Sequence, residues 1–449
     1  MADVNVLVSA ARSPNGLCGG LLDAATAGRW IPVVSVMLFQ ELEEVLARPK
    51  FRDVLGQEAT DRFLADLIAI AEWAQDPTAA ATSATRDPDD EYLLALSRSA
   101  KVDVLVSGDR DLTDLLETTP PIETPAQFSL RLLSYPERIV RLADTDLDVF
   151  PLCLGGNVFG WSIDEQRSFA VLDAYVQAGG NFIDTADIYG RRGAGGMGES
   201  ERIIGRWIAA RGNREQLVIA TKVGMSPELP GLSRATIRSS IEGSLERLGI
   251  DTVDLYYAHQ DDPDTPLEET LGAFGELVDE GKIRHAAASN YSAERLREAV
   301  RIGAGAGMAS YVALQPHYNL VERGEYEGDL QDVCAQAGLA CIPYFGLARG
   351  FLSGKYRRDG AQIDSPRAAG VREAYFNERG FAVLDALDEV AAAHDAPVAS
   401  VALAWLLAQP MVLAPIASAT SPEQLAELVA CVDLELAPAE LARLGTAGA

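Results

Sequence analysis

The chain of 449 residues has little cysteine, a deficit of positive charge and no long apolar run. Its five cysteines are odd in number and lack metal-site spacing, so reduced, mostly buried thiols are expected. No apolar run reaches the roughly 18 residues that a membrane helix needs. The opening MADVNVLVSA lacks the basic segment and cleavage site of a signal peptide. These absences argue against disulfide-stabilised and membrane-spanning proteins, and they predict a cytoplasmic one.

The charge balance is strongly acidic. The 38 Lys and Arg stand against 66 Asp and Glu, which gives a formal net charge of −28. Residues 1–125 alone hold 10 basic and 21 acidic residues, a difference of 11, so the acidity is not confined to one half. This charge argues against a protein that coats nucleic acid or an anionic membrane, but it leaves room for one local basic pocket.

The length suggests two or three domains, and the pattern of the sequence changes near residue 120. Before that point we predict a short strand at 4–9, helices at 40–46 and 59–74, and a strand at 102–107. The segment TTPPIET (118–124) holds two prolines and marks a boundary. The predicted organisation is therefore an α/β domain at 1–125, a linker at 126–137 and a larger domain at 138–449.

The larger domain alternates apolar strands with amphipathic helices. This alternation predicts a parallel sheet covered by helices, and eight units in about 310 residues suit a closed (β/α)8 TIM barrel. Periodicity alone leaves an open doubly wound sheet as the alternative. The predicted strands are 150–154, 181–184, 217–221, 252–258, 283–288, 310–314, 340–344 and 411–416. The predicted helices include 164–178, 199–210, 234–248, 266–280, 293–302 and 421–431.

Polar residues follow these strands at the end where a β/α barrel holds its chemistry. A polar residue after a single strand would be ordinary, but polar residues after seven strands, always at the same end, indicate that they meet at one rim of the barrel. The residues are Gly156, Asn157, Asp184, Lys222, His259, Ser289, Asn290, Gln315 and Tyr344.

Three of the rim residues, together with a nearby tyrosine, suggest proton transfer. Asp184 and Lys222 end adjacent strands, so they can form an ion pair, and Tyr189 follows on the loop after Asp184. A neighbouring ammonium lowers the pKa of a tyrosine, which makes Tyr189 a candidate general acid. His259 can donate a hydrogen bond to a carbonyl oxygen or relay a proton. The alternative is a structural ion pair beside a core histidine.

Eight motifs follow one another through the larger domain. They are GGNVFGW (155–161), GNFIDTADIYG (180–190), VIATKVG (218–224), DLYYAHQDD (254–262), AASN (287–290), LQPHYN (314–319), GFLSGKY (350–356) and PIASATSPEQLAEL (415–428). By these motifs, residues 138–449 resemble the aldo-keto reductases. The resemblance implies that Asp184, Tyr189, Lys222 and His259 are the catalytic residues. It also implies that a reduced nicotinamide cofactor gives hydride to an aldehyde or ketone, a small-molecule substrate, while Tyr189 protonates the oxygen.

The same resemblance assigns the cofactor contacts. Ser289, Asn290 and Gln315 would bind the nicotinamide carboxamide, and Tyr344 would stack on the nicotinamide ring. Gly156, Asn157, Ser418 and Gln424 are the remaining candidates. The family holds the 2′-phosphate of NADPH with basic side chains after the eighth strand, where this chain has Ser418, Thr420 and Gln424. NADPH is the expected cofactor, with NADH as the alternative.

The loop GAGGMG (193–198) fits the pattern of a dinucleotide-binding turn but does not follow a strand directly. The position about 20 residues later, where that motif requires an acidic residue, is Val218 in the next apolar strand. We therefore predict a loop at the barrel rim.

Acidic residues recur at intervals through residues 1–125, among them Asp3, Glu41, Asp90 and Asp109. With this pattern the segment resembles a PIN domain, a nuclease fold, so the chain has the character of a fusion protein. The resemblance implies that Asp3, Glu41, Asp90 and Asp109 bind Mg²⁺ or Mn²⁺, which prefer oxygen ligands. RNA is then an expected partner only if this domain is active. Only two residues precede Asp3, so its strand is expected to be short, and the acidic balance offers no RNA footprint.

Three functions follow from these patterns. The first is a carbonyl reductase in the barrel. The second is a metal-dependent ribonuclease, of the toxin type, in the first domain. The third is a barrel that keeps its cofactor and senses rather than catalyses, as in channel-subunit relatives. The intact set of four catalytic residues argues against the third.

Overall fold

The computed structural model describes the whole chain except residues 15, 27–29, 78–87, 114, 116–117, 133–138, 359, 361–362, 364–367 and 449. The chain divides into two compact units, Met1–Ser134 and Tyr135–Ala449. The segment predicted as a linker, 126–137, contains part of a helix that ends at Leu132, and its last residues lie outside the described part.

The first unit packs helices around short parallel strand pairs. Its strands are β1 (Val33–Val34), paired with β2 (Glu72–Trp73), and β3 (Leu105–Val106), paired with β4 (Ile122–Glu123). Its helices are α1 (Val4–Arg12), α2 (Leu17–Thr26), α3 (Val36–Leu46), α4 (Pro49–Leu55), α5 (Gln57–Ile70), α6 (Pro88–Ser99), α7 (Arg110–Thr113) and α8 (Pro125–Leu132).

The predicted strand at 4–9 is wrong, because these residues form α1. The Asp3 side chain caps this helix by accepting a hydrogen bond from the backbone N–H of Asn5, which favours a helical start. Strand-like pairing is limited to Ala2, which bridges Val106.

The second unit contains an eight-stranded parallel barrel. Consecutive strands pair in chain order, and the last of them pairs with the first. Residues 411–416 close the ring by backbone hydrogen bonds to the seventh strand and to Pro343 after it. This closure confirms the predicted barrel. A short antiparallel hairpin, β5 (Val140–Arg141) and β6 (Asp148–Val149), precedes it. The barrel strands are β7 (Cys153–Gly155), β8 (Phe182–Asp184), β9 (Val218–Val223), β10 (Val253–Ala258), β11 (Ile283–Ser289), β12 (Tyr311–Gln315), β13 (Ala340–Cys341) and β14 (Ile416–Ala417).

Helices surround the barrel, and side-chain caps fix where several of them begin. Asp164, Ser233, Ser292 and Ser421 each accept a hydrogen bond from a backbone N–H in the first turn. The helices are α9 (Glu165–Gln177), α10 (Glu199–Arg211), α11 (Arg234–Leu248), α12 (Leu267–Asp279), α13 (Ala293–Gly303), α14 (Asp329–Ala337), α15 (Ala368–Tyr375), α16 (Glu378–His394), α17 (Val398–Leu407), α18 (Pro422–Val429) and α19 (Pro438–Ala447).

No single helix in the described residues is long and apolar enough to cross a membrane. The helices α16 and α17 are long and apolar enough only when taken together, and they are bent by 97° relative to each other.

The β5–β6 hairpin closes the N-terminal end of the barrel. Leu142 and Leu147 pack in one apolar cluster with barrel residues that include Phe182 and Leu255. Asp146 contacts Arg284 and His285, which lie at the start of β11. The opposite, C-terminal end therefore holds the open mouth.

Candidate active site

The polar residues at the mouth continue the rows of apolar side chains that fill the barrel. Side chains alternate along a strand, so a residue two positions after an interior residue also faces inward. The interior residues Phe182, Ala220, Tyr257, Ala287 and Ala313 belong to the barrel core. Two positions later stand Asp184, Lys222, His259, Ser289 and Gln315.

Lys222 is the centre of the site and is fully buried. Its Nζ donates to Asp184 Oδ2 at 2.6 Å, to the Thr185 carbonyl at 2.7 Å and to the Tyr189 hydroxyl at 3.4 Å. Gln315 Nε2 donates to the other Asp184 oxygen at 3.0 Å. The ammonium therefore uses its three protons, and one of them points at the phenol.

His259 completes the group, since its ring centroid lies 6.0 Å from that of Tyr189. The His259 side chain is buried, and its Nδ1 has no hydrogen-bond partner among the described residues. The structure thus brings together the four residues that the sequence predicted as catalytic.

The electrostatics of the site follow from burial and from the ammonium. Burial raises the pKa of Tyr189 above its usual 10 and outweighs the Lys222 charge, which lowers it; the lowered pKa expected from the sequence is therefore not found in the structure. Burial lowers the pKa of Lys222, but Asp184 and Tyr189 outweigh it, so the amine stays charged. Burial, and then the Lys222 charge, lower the pKa of His259 well below its usual 6.5, so the imidazole is neutral at pH 7.

A row of hydrogen bonds joins the ends of β10 to β13. Asn290, at φ 55°, donates to the His259 carbonyl at 2.8 Å and to Ser289 Oγ at 3.1 Å. The Ser289 hydroxyl donates to the Gln315 carbonyl, and the Tyr344 hydroxyl donates to Asn290 Oδ1 at 2.9 Å. This places the four residues predicted to contact nicotinamide at one side of the mouth.

The residues predicted to hold the rest of the cofactor lie around β14 and β7. Ser418 Oγ donates to Asn157 Oδ1 at 2.9 Å, which joins the two strand ends. A Cβ on Gly155 would lie 2.6 Å from Ser418 Oγ, so only glycine leaves this approach open. Gln424 Oε1 accepts from the N–H and the hydroxyl of Thr420.

A cavity of about 1020 Å³ connects these groups. Its wall includes Tyr189 and His259 together with Tyr344, Ser418 and Gln424. Sequence reasoning assigned no role to several other residues of this wall. Lys355 could have been identified from the sequence, because it lies in GFLSGKY, one of the motifs of the aldo-keto reductase resemblance. The other unassigned residues include Trp161, Arg167, Arg191, Arg192, Met225, Arg349 and Glu427.

The acids predicted to bind metal in the first unit are only partly together. Ser107 Oγ donates to Asp3 Oδ2 at 2.6 Å, and the Asp109 backbone N–H donates to Ser107 Oγ. Burial and, more weakly, the nearby Asp109 charge raise the pKa of Asp3. No group of three potential ligands that could hold a metal occurs in the described residues. Glu41 is exposed and Asp90 is half-buried, and the metal-binding role of the four acids stays a prediction.

The fold and the site define a (β/α)8 barrel enzyme whose polar residues meet at the carboxyl ends of the strands. The model of the aldo/keto reductase family matches residues 151–448, and the chain belongs to this family of oxidoreductases. A PIN domain model matches residues 1–111, so the first unit is a PIN domain.

Characterised and uncharacterised relatives share the barrel region. An uncharacterized oxidoreductase, YrpG of Bacillus subtilis, is 34% identical over 304 residues, which are 66% of this chain and 91% of the relative. The NADH-specific methylglyoxal reductase of Escherichia coli is 31% identical over 67% of this chain and 95% of its own length. A probable voltage-gated potassium channel subunit beta of Oryza sativa is 32% identical over 65% and 90%.

Proposed function

We propose that the barrel reduces aldehydes or ketones to alcohols with NAD(P)H, and that Tyr189 protonates the carbonyl oxygen. The observation that carries the proposal is the position of Lys222 Nζ, between Asp184 Oδ2 at 2.6 Å and the Tyr189 hydroxyl at 3.4 Å. An ammonium held in this way stabilises a developing phenolate, so the proton leaves the phenol more readily.

The residues present fit a nicotinamide cofactor. The cavity is large enough for a dinucleotide beside a small substrate, since ligand pockets typically span about 300–1,000 Å³. Ser289, Asn290 and Gln315 offer amide and hydroxyl groups at one side, with the Tyr344 ring next to them. When bound, the reduced nicotinamide supplies the hydride.

The other residues of the site hold and move a proton. Tyr189 carries the proton at neutral pH because its pKa lies above 10. His259 is neutral, so it can hold the substrate oxygen by a hydrogen bond without competing as an acid. Asp184 fixes the Lys222 ammonium below the phenol. Lys222 and His259 therefore favour the negative charge that develops on the phenol and the substrate oxygen, whereas Asp184 opposes that charge directly and contributes by holding the ammonium in place.

Within the nicotinamide cofactors, we propose NADPH. The motif after β14 presents Ser418, Thr420 and Gln424 without a basic side chain, which leaves NADH as the alternative. Basic side chains reach the same cavity from elsewhere: Lys355 after β13, and Arg167 on α9, which packs against α18. The positive charges of Lys355 and Arg167 support NADPH, because it carries an additional phosphate group that NADH lacks.

The test is Tyr189→Phe, assayed with a panel of aldehydes and ketones and with NADPH and NADH in parallel. Carbonyl reduction should fall by about 10²-fold or more, because the proton donor is gone. Cofactor affinity, measured by fluorescence quenching, should change little. Retained turnover contradicts the role given to Tyr189.

A second candidate function belongs to the PIN domain, namely metal-dependent RNA cleavage by Asp3, Glu41, Asp90 and Asp109. The observation in its favour is that Ser107 Oγ donates to the Asp3 carboxylate and accepts from the backbone N–H of Asp109, which brings these two residues close together. Two carboxylates are fewer than the oxygen ligands that Mg²⁺ or Mn²⁺ takes, so the arrangement of the described residues fits a metal only in part.

A further inference from the structure

The charge of the cavity wall is the reverse of the charge of the chain. The chain has 38 basic and 66 acidic residues. Among the residues that the structure describes, the wall has two acidic ones, and one of them, Asp184, is paired with Lys222. The basic residues of this described wall are five: Arg167, Arg191, Arg192, Arg349 and Lys355. A concave surface of one sign concentrates ligands of the opposite sign.

A cofactor with phosphate groups accounts for only part of this positive charge. The residues proposed to hold it lie at the ends of β11 and β12, after β13 and β14, on the loop after β7, and on α9 and α18. Arg191 and Arg192 lie on the loop after β8, directly beyond Tyr189. They therefore belong to the side of the mouth that also carries the proposed proton donor, where a substrate has to lie.

The loop that carries the two arginines is well anchored. The N–H of Gly193 donates to the Gly190 carbonyl at 2.8 Å, and Arg202 donates to the Met197 carbonyl at 2.8 Å. A Cβ on Gly193 would lie 1.7 Å from the carbonyl oxygen of Gly160, so this loop packs directly on the backbone after β7. The arginines are thus held at the rim of the cavity.

Neither guanidinium is committed to a carboxylate. Arg192 lies over the Trp161 ring, with its Cζ 5.4 Å from the ring centroid. In the part of the chain that the structure describes, neither Arg191 nor Arg192 takes part in an ion pair, although many arginines of the barrel do, Arg206 and Arg295 among them. Unpaired, exposed guanidinium groups beside a reaction site suit bidentate recognition of a planar anion.

We propose that the substrate is an aldehyde or ketone that also carries a carboxylate. Arg191 and Arg192 bind the carboxylate at the rim, while the carbonyl lies at Tyr189 and His259. This inference rests on the proposed reductase function and adds the chemical class of its substrate. A hydrogen bond between charged groups contributes about 1.5–3 kcal/mol, so the preference for an anionic substrate should be about 10- to 100-fold.

The test compares 4-formylbenzoate with its methyl ester, which share the reacting carbonyl and differ in charge. In the full chain, kcat/KM should favour the carboxylate, and the advantage should shrink with added salt. The double variant Arg191→Gln/Arg192→Gln should lose about 10- to 100-fold on the carboxylate and change little on the ester. Arg191→Lys/Arg192→Lys, which keeps the charge, should retain a substantial part of the preference.

The matched control is Arg297→Gln/Arg301→Gln, which removes two exposed charges on α13 outside the cavity and should leave the ratio unchanged. Equal activity of the wild-type protein on acid and ester contradicts the inference. So does a double variant that loses cofactor affinity while its substrate ratio is unchanged, because the arginines would then serve the cofactor. Turnover of neither compound contradicts the proposed function, and this inference with it.

Discussion

Replacing Lys222 by methionine separates the catalytic and structural roles of the buried ammonium. Its Nζ lies 3.4 Å from the Tyr189 hydroxyl. At an effective dielectric constant of about 20, a unit charge at this distance stabilises a phenolate by about 5 kcal/mol, or about 3.5 pKa units. Without it the pKa of Tyr189, already raised by burial, rises further. We therefore expect kcat to fall by about 10²- to 10⁴-fold.

The same substitution leaves the Asp184 carboxylate buried without its partner, which destabilises a protein by about 3–5 kcal/mol. The double variant Asp184→Asn/Lys222→Met removes both charges and should recover much of this stability but none of the activity. The measurements are the urea midpoint of the barrel transition and the reduction of an uncharged aldehyde at saturating cofactor. A Lys222→Met enzyme as active as its parent refutes the reasoning. A double variant that regains turnover together with stability refutes it equally.

Three further predictions concern other charged groups. Burial, and then the Glu201 charge, raise the pKa of Asp187 to about 7 from 3.8. The folded state holds this proton more tightly, so stability present near pH 4 should be lost as the pH rises through about 7, by up to about 4 kcal/mol. Asp187→Asn should flatten that slope in urea unfolding, and an unchanged slope contradicts the assignment. Arg167→Gln should weaken NADPH binding more than NADH binding, with Arg297→Gln as control, and equal losses speak against a phosphate contact. Asp109→Asn should abolish any Mn²⁺-dependent RNA cleavage by the full chain, and a parent that cleaves no RNA removes the nuclease hypothesis.

The barrel could be predicted because its signals are local and repeated. Each strand is apolar and ends in a residue that hydrogen-bonds or titrates, and α11 has the same bounds as the predicted helix at 234–248. The residues proposed as catalytic follow from the same rule, since Asp184 and Lys222 each stand two positions after a core residue. The alternation along each strand therefore predicted which side chains face the barrel interior, and the residue types predicted which of them could take part in chemistry.

The first strand and the loop residues could not be predicted in this way. The apolar run after Asp3 fits a strand or a buried helix equally well by periodicity, and the cap provided by the Asp3 side chain decides for the helix. The approach of Arg192 to Trp161 depends on the path of the loop between Tyr189 and α10. That path is set by contacts such as Gly193 with Gly160, which are distant in sequence.

The hairpin below the barrel gives the molecule a floor, built from Leu142 and Leu147. Because the hairpin closes this end, the proposed cofactor and the substrate would both enter through the open mouth at the opposite end. Ser289 and Gln315, proposed to hold the nicotinamide end, are 1% and 2% exposed, deeper than the rim arginines. On the proposed function, a cofactor bound at this depth would enter before the carbonyl compound and leave after the alcohol, so we expect an ordered sequence of binding and release.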